Sequence, residues 1–327
     1  MQTMPLILGA LLAASSAAEH APPNSFQDHS DNGEVIHVLP TPASVRSPRD
    51  TAPTDAPVSN GTAVFPPSFG SGPLRDHGGP QIANASFQLV FWNVAVAGST
   101  QTSLGYARIQ DQLFAFAGAF SDGARWDGSA TDDYTIVQQY GSRWAIAATL
   151  GAPAPLVDAQ PTQGQISDSA IRSYLGGLFD AGRLAPSESV VYGVFFPPGM
   201  RIRSGGGSSC TSFCAYHGHF LRGTQQIKYA VFPYLNCGGC SLAGKSVADM
   251  LTITASHEVR EAVTDPELNA WFDAAGYEAD DKCAWHNLYQ MSSGGFWVQP
   301  EYSNGGTVTA SGFTATYPGP GCVVPSR

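Results

Sequence analysis

Thr254-Ala255-Ser256-His257-Glu258-Val259-Arg260-Glu261-Ala262-Val263-Thr264-Asp265-Pro266 is the stretch from which the rest of the chain can be read. It is His-Glu-x-x-Glu set in a helical pattern that runs from Val247 to Thr264. Asp265-Pro266 ends the helix, because the residue before a proline is driven out of helical geometry. Residues four apart share a helix face, so His257 and Glu261 can reach one metal ion. Glu258 projects to the side of that face, where an attacking water would stand. This is the arrangement of the His-Glu-x-x-His metallohydrolases with the second His replaced by Glu, and carboxylate oxygen is an accepted zinc ligand. The plainer alternative is a helix with a packed His257 and solvated Glu258 and Glu261.

A zinc site needs a third protein ligand. Asp281 lies 20 positions after Glu261, an interval that fits zinc peptidases whose third ligand is a carboxylate on a later segment. Glu278, Asp265, His217 and His219 are the alternatives. Calcium is possible at an oxygen-rich site, but a helical His at the centre argues for Zn2+. Zinc lowers the pKa of water toward neutrality and polarises a carbonyl. Glu258 is then the general base, and His77 or His219 are candidates to stabilise the oxyanion.

Working outward, the elements alternate. Phe87 to Val94, Val190 to Phe196 and Ile227 to Tyr234 read as strands. Leu104 to Phe120, Asp132 to Tyr140 and Ser167 to Ala181 read as helices, the last with a serine N-cap and Gly182 beyond its end. Short strands and turns follow Gly294. The class is α+β: one domain over 76–327, with a central mixed sheet, a zincin-like motif helix and a disulfide-stabilised C-terminal part.

The apolar run Met4 to Ala14, followed by Ser16-Ala17-Ala18, reads as a signal peptide over residues 1–18. Residues 19–75 are rich in Pro, Ser, Asp and Asn and read as a disordered arm or a propeptide shielding the active site. Val35-Ile36-His37-Val38-Leu39 is its one apolar cluster, and His20, His29 and His37 read as incidental there.

The chain carries 16 Lys and Arg against 26 Asp and Glu, a net charge of −10, which disfavours nucleic acid and anionic lipid as partners. No mature segment reaches transmembrane length. The expected setting is secreted and extracellular, with Asn60 and Asn84 in N-glycosylation sequons. In that setting the six cysteines imply disulfides. The simplest pairing is Cys210–Cys214, Cys237–Cys240 and Cys283–Cys322; a tetrathiolate zinc site and a thioredoxin-like Cys237-Gly238-Gly239-Cys240 are weaker readings.

Several of these residues resemble one family. His77-Gly78-Gly79-Pro80 before a strand, Cys210 to Cys214, His217-Gly218, Lys228-Tyr229-Ala230 and Cys237 to Cys240 fall in the order of the plant Exordium, or phosphate-induced, proteins. The plant members carry a small-residue stretch where this chain has its motif helix. Ser256 to Pro266 together with Asp281-Lys282-Cys283-Ala284-Trp285 is similar to the microbial secreted branch. The plant resemblance implies a wall-associated role, and the microbial one a metal-dependent hydrolase acting on an extracellular peptide or glycan. The competing functions are a non-catalytic carbohydrate-binding protein, using Trp92, Trp126, Trp144, Trp271, Trp285 and Trp297, and a glycosidase using Glu258 and Glu261.

Overall fold

A computed structural model describes residues 21–45, 62–121, 134–142, 145–310 and 313–324. The expected signal peptide, Asn60, Trp126 and Trp144 lie outside the described residues. The organising element is a seven-stranded mixed sheet. Its strands are β1 (Gln27–His29), β2 (Val35–Pro40), β3 (Ser86–Phe91), β4 (Leu156–Val157), β5 (Val190–Phe195), β6 (Phe213–Arg222) and β7 (Gln225–Phe232). Their order is β1-β2-β6-β7-β5-β3-β4. The first four form antiparallel pairs, and the β7–β5–β3–β4 half is parallel. The parallel strands are apolar on both faces, as in Phe87-Gln88-Leu89-Val90-Phe91, which matches burial between two layers.

Three helices make those layers: α1 (Ile109–Ala119), α2 (Asp168–Asp180) and α3 (Val247–Thr264). Neighbouring residues of β6 show which face each covers. His217 points at α3, pairing with Glu258, whereas the Tyr216 hydroxyl donates to Asp168 at the start of α2. α3 is therefore on one face and α2 on the other. Ser246 and Asp249 form a capping box at the start of α3, which fixes where the helix begins. At its other end Asp265 accepts hydrogen bonds from the Asn269 and Ala270 amides, at 2.6 and 2.7 Å, and turns the chain away. Every residue of α3 is buried, so its polar groups must find partners inside the protein.

The strands and helices expected from the pattern are found with shifted ends. The helix expected from Leu104 starts at Ile109, and Thr135–Tyr140 is a 3-10 helix. Two readings are corrected. Residues 27–40 are not a disordered arm: Val35-Ile36-His37-Val38-Leu39 is a strand that pairs with β6 and buries Ile36, Val38 and Leu39. A cluster too small to make a core alone can complete one.

The cysteines are also paired differently. The bonds are Cys210–Cys237, Cys214–Cys240 and Cys283–Cys322. Only the last matches the expectation. The reason is β6, a strand that the sequence pattern does not mark. The β6–β7 hairpin sets its two open ends side by side, so Cys210 and Cys214 at one end meet Cys237 and Cys240 beyond the other. With all six sulfurs in disulfides, neither the tetrathiolate zinc site nor a reactive dithiol exists. No helix among the described residues is long and apolar enough to cross a membrane.

Candidate metal centre

α3 presents His257, Glu258 and Glu261 to the sheet, and β6 presents His217 to α3. β2 adds His37, which stands directly opposite His217 in the ladder, with ring centroids 5.2 Å apart. The third direction is closed by the turn Asp280-Asp281-Lys282-Cys283. Each neighbour of Asp281 is pinned. Asp280 pairs with the buried Arg260 of α3, the Lys282 ammonium donates to Asp273 at 2.6 Å, and Cys283 is disulfide-bonded to Cys322 in a late strand. Asp281 is thereby held over α3, where its amide donates to Glu261 Oε1 at 2.9 Å.

The side chains converge. Glu261 Oε2 lies 3.0 Å from His257 Nε2, 3.3 Å from His37 Nδ1 and 3.9 Å from His217 Nδ1. Asp281 places Oδ1 3.7 Å from His257 Nε2 and Oδ2 3.1 Å from His37 Nε2. Glu278 Oε1 is 3.5 Å from His37 Nε2. Glu258 Oε2 is 3.0 Å from His217 Nδ1. Ligand atoms about 2.0–2.1 Å from a tetrahedral ion lie about 3.3–3.4 Å from one another; the Glu261 spacings to His257 and His37 are close to that, while His37 meets Glu261 and Asp281 through different nitrogens and can give one ion only one of them. His37, His257, Glu261 and Asp281 form one four-residue group of donors, with His217, Glu258 and Glu278 bordering it.

The centre is fully buried, and many of its atoms lack hydrogen bonds. Both nitrogens of His37, Nε2 of His257 and His217, and one oxygen each of Glu258, Glu261, Glu278 and Asp281 have no hydrogen-bond partner beyond the cluster's own ion pairs. Uncompensated buried charge of this density is very costly. Without a cation the cluster can persist only by retaining protons. Burial pushes Glu258 and Glu278 well above the usual carboxylate range and Asp281 to about 6. Burial disfavours charged His257, yet Glu261 and its neighbours outweigh it and lift the imidazole to about 9. His37 is raised in the same way by Asp281, Glu278 and Glu261. Against the pull of burial, these two imidazoles hold Glu261 well below its ordinary value. Burial and the nearby His37 push His217 down. A divalent cation would supply the same compensation with the carboxylates ionised.

One feature of the arrangement opposes a metal on His257 Nε2. The Gln299 amide nitrogen donates to the Asp280 carbonyl at 2.7 Å and lies 2.9 Å from His257 Nδ1. In that orientation Nδ1 is an acceptor and a neutral ring carries its proton on Nε2, where the imidazolium that Glu261 favours carries one as well. A metal there requires the proton on Nδ1 and the amide turned so that its oxygen accepts it.

The residues expected from sequence divide clearly. His257, Glu258, Glu261, Asp281, Glu278 and His217 are all brought together. Asp265 is buried close by, pushed up to about 6 by burial, but its Oδ1 is committed to the two amides that end α3. His219 pairs with Gln226 through Nδ1 at 3.2 Å, and His77 stacks on Phe272 with centroids 3.6 Å apart. Neither belongs to a donor group among the described residues. Sequence reasoning passed over His37 and did not single out Gln299 or the Arg260–Asp280 pair. A lone His inside an apolar β-branched run was the available signal for His37, since the strand that buries its neighbours buries it too. Comparisons with family models, characterised proteins and solved structures gave no match to the chain.

Proposed function

We propose that the protein is a secreted zinc-dependent hydrolase of peptidase type. The observation that carries this reading is the convergence of His257, Glu261 and Asp281 on one buried point, with donor atoms that have no other partner. Bound zinc would supply Lewis acidity and acidify a water. His257 and Glu261 would hold it from α3, and Asp281 from the pinned turn. Glu258 stands beside them with Oε1 unpartnered and Oε2 held by His217, which suits a proton acceptor aimed at the reacting centre. The His217 ring, held neutral by burial, orients that carboxylate. Secretion is supported by the leader-like start and the three disulfides. The motif order shared with the microbial Exordium-type proteins favours the same class.

The wall-binding and glycosidase readings gain no comparable support. Trp92 and Trp285 donate their indole N–H groups inward, to the Pro161 and Pro40 carbonyls, both at 2.9 Å. Glu258 and Glu261 are fully buried and lie on one helix.

Elemental analysis of protein purified without chelators tests the reading. About one zinc per chain is expected, lost in His257→Ala. Absence of any transition metal from folded wild-type protein would overturn it.

A further inference from the structure

We infer that His37 is a closing ligand, laid into the metal centre by the amino-terminal hairpin and keeping it shut against substrate. The inference rests on the metal reading above. It starts from where the ligands come from. His257 and Glu261 belong to the central helix, and Asp281 to a turn fixed by two buried ion pairs and a disulfide. These three are part of the frame. His37 instead belongs to β2, which joins the sheet by its ladder to β6. Structural zinc sites have four protein ligands, whereas catalytic sites have three and an open position. With His37 present the centre has the closed count. Without it, the frame retains the open one.

The position of β2 supports the same conclusion. It runs antiparallel to β6 and places His37 directly opposite His217, whose ring holds Glu258. An extended peptide adds to an exposed sheet edge through the same main-chain ladder. β2 therefore occupies the place where an extended peptide would lie beside the base and the metal ligands. Phe26 stacks over His37, and Phe69 and Tyr277 pack edge-on against Phe26, so an aromatic cluster covers the histidine that the hairpin brings in. Neither of two surface grooves, one beside Trp285 and one beside Lys228, is lined by a member of the cluster.

The hairpin is held at its rim as well as by its apolar side. Ser204 donates to Asp28 at 2.6 Å, the Ser169 amide to Asp31 at 2.8 Å and Arg172 to Asn32 at 2.6 Å. Phe26, Ile36, Val38 and Leu39 are buried beneath it. Such a segment stays in place until something displaces it, which makes it a latch and not a fluctuating lid.

Cobalt in place of zinc, in the full-length chain, gives a test that does not depend on turnover. The wild-type visible spectrum should be that of a closed tetrahedral centre and should not change on adding acetohydroxamate, a small metal-binding probe. His37→Ala should still bind one cobalt, and its spectrum should shift with acetohydroxamate. Free imidazole should restore the wild-type spectrum. The same variant should hydrolyse a small activated ester at least about tenfold faster than wild type. Circular dichroism checks folding, and His37→Gln carries the same readout if the alanine variant does not fold. A wild-type spectrum that already responds to the probe would overturn the inference, and so would a folded His37→Ala that binds no cobalt. Wild-type protein that binds neither metal would instead remove the metal reading itself.

Discussion

Replacing Gln299 by Leu separates the metal reading from a metal-free polar cluster. The side chain sits at the junction of three elements. Its nitrogen serves the Asp280 carbonyl at 2.7 Å and His257 Nδ1 at 2.9 Å, and its oxygen accepts from the Trp285 amide at 3.3 Å. Leu has nearly the same volume, so no cavity opens. Two fully buried groups, the Asp280 carbonyl and His257 Nδ1, lose a partner. At about 1–3 kcal/mol for each stranded group the cost is ~2–6 kcal/mol, and the long contact to Trp285 adds little. That part is independent of metal and is read by urea unfolding in the presence of a chelator. The metal part is separate. With metal bound, the turned amide's oxygen would accept the His257 Nδ1 proton and orient the ring, and loss of that support weakens affinity by about 10–100-fold, or ~1.4–2.7 kcal/mol. It appears as a smaller gain in stability on adding zinc, compared with wild type, and directly in competition titration with a chromophoric chelator. If the variant loses stability but its zinc affinity is unchanged, His257 does not bind metal and the centre is a structural hydrogen-bond network.

Other outcomes follow from the same structure. In the His37→Ala background, Glu258→Gln should cut ester hydrolysis by about 10²–10⁴-fold while cobalt content and spectrum are retained; unchanged turnover would exclude Glu258 as the base. Replacing both Cys214 and Cys240 by Ala should cost about 2–3 kcal/mol on the chain-entropy estimate, because the remaining Cys210–Cys237 bond already closes the long loop, measured by denaturant unfolding. Peptide mapping should recover the Cys210–Cys237 link in that variant. Asp158 supplies a stability term at acid pH. Burial pushes its carboxyl up, but bonds from Arg183, Gln160, the Ala159 amide and Tyr174 prevail and hold it at about 2. A folded value below the unfolded one gives stability that is complete above about pH 4 and lost as pH falls toward 2. Asp158→Asn should therefore flatten the acid limb of the melting-temperature profile in that window and leave its shape near neutrality unchanged.

The part of the site carried by one helix was legible because helical spacing is local. Ser246 to Pro266 contains its own cap, its own period and its own stop, so His257, Glu258 and Glu261 could be placed on one face without any tertiary knowledge. Asp281 was reachable by interval, and the Cys283–Cys322 bond by elimination. His37 and the true pairing of Cys210, Cys214, Cys237 and Cys240 depend on strand neighbours far apart in sequence. Phe213-Cys214-Ala215-Tyr216-His217-Gly218 is buried on both faces, which erases the alternation that marks a strand, so β6 is not visible in the pattern. Once β6 was missed, nothing in the sequence could say that β2 had a partner. Gln299 is likewise defined by what surrounds it, since an amide gains meaning only from the donors and acceptors it joins.

The pairing of β2 with β6 has a consequence for biosynthesis. On a ribosome β2 emerges before its partner, and the residues that cover its edge are made roughly 180 positions later, about 10–40 s at ordinary elongation rates. Throughout that interval Val35-Ile36-His37-Val38-Leu39 is an apolar strand with an unpaired edge, the kind of segment that seeks another chain. The hairpin made with β1 protects one side of it only. High-level expression should therefore be limited by aggregation of nascent chains. Glu34 and Pro40, at its two ends, are the charge and the residue without an N–H donor that restrain it during the wait.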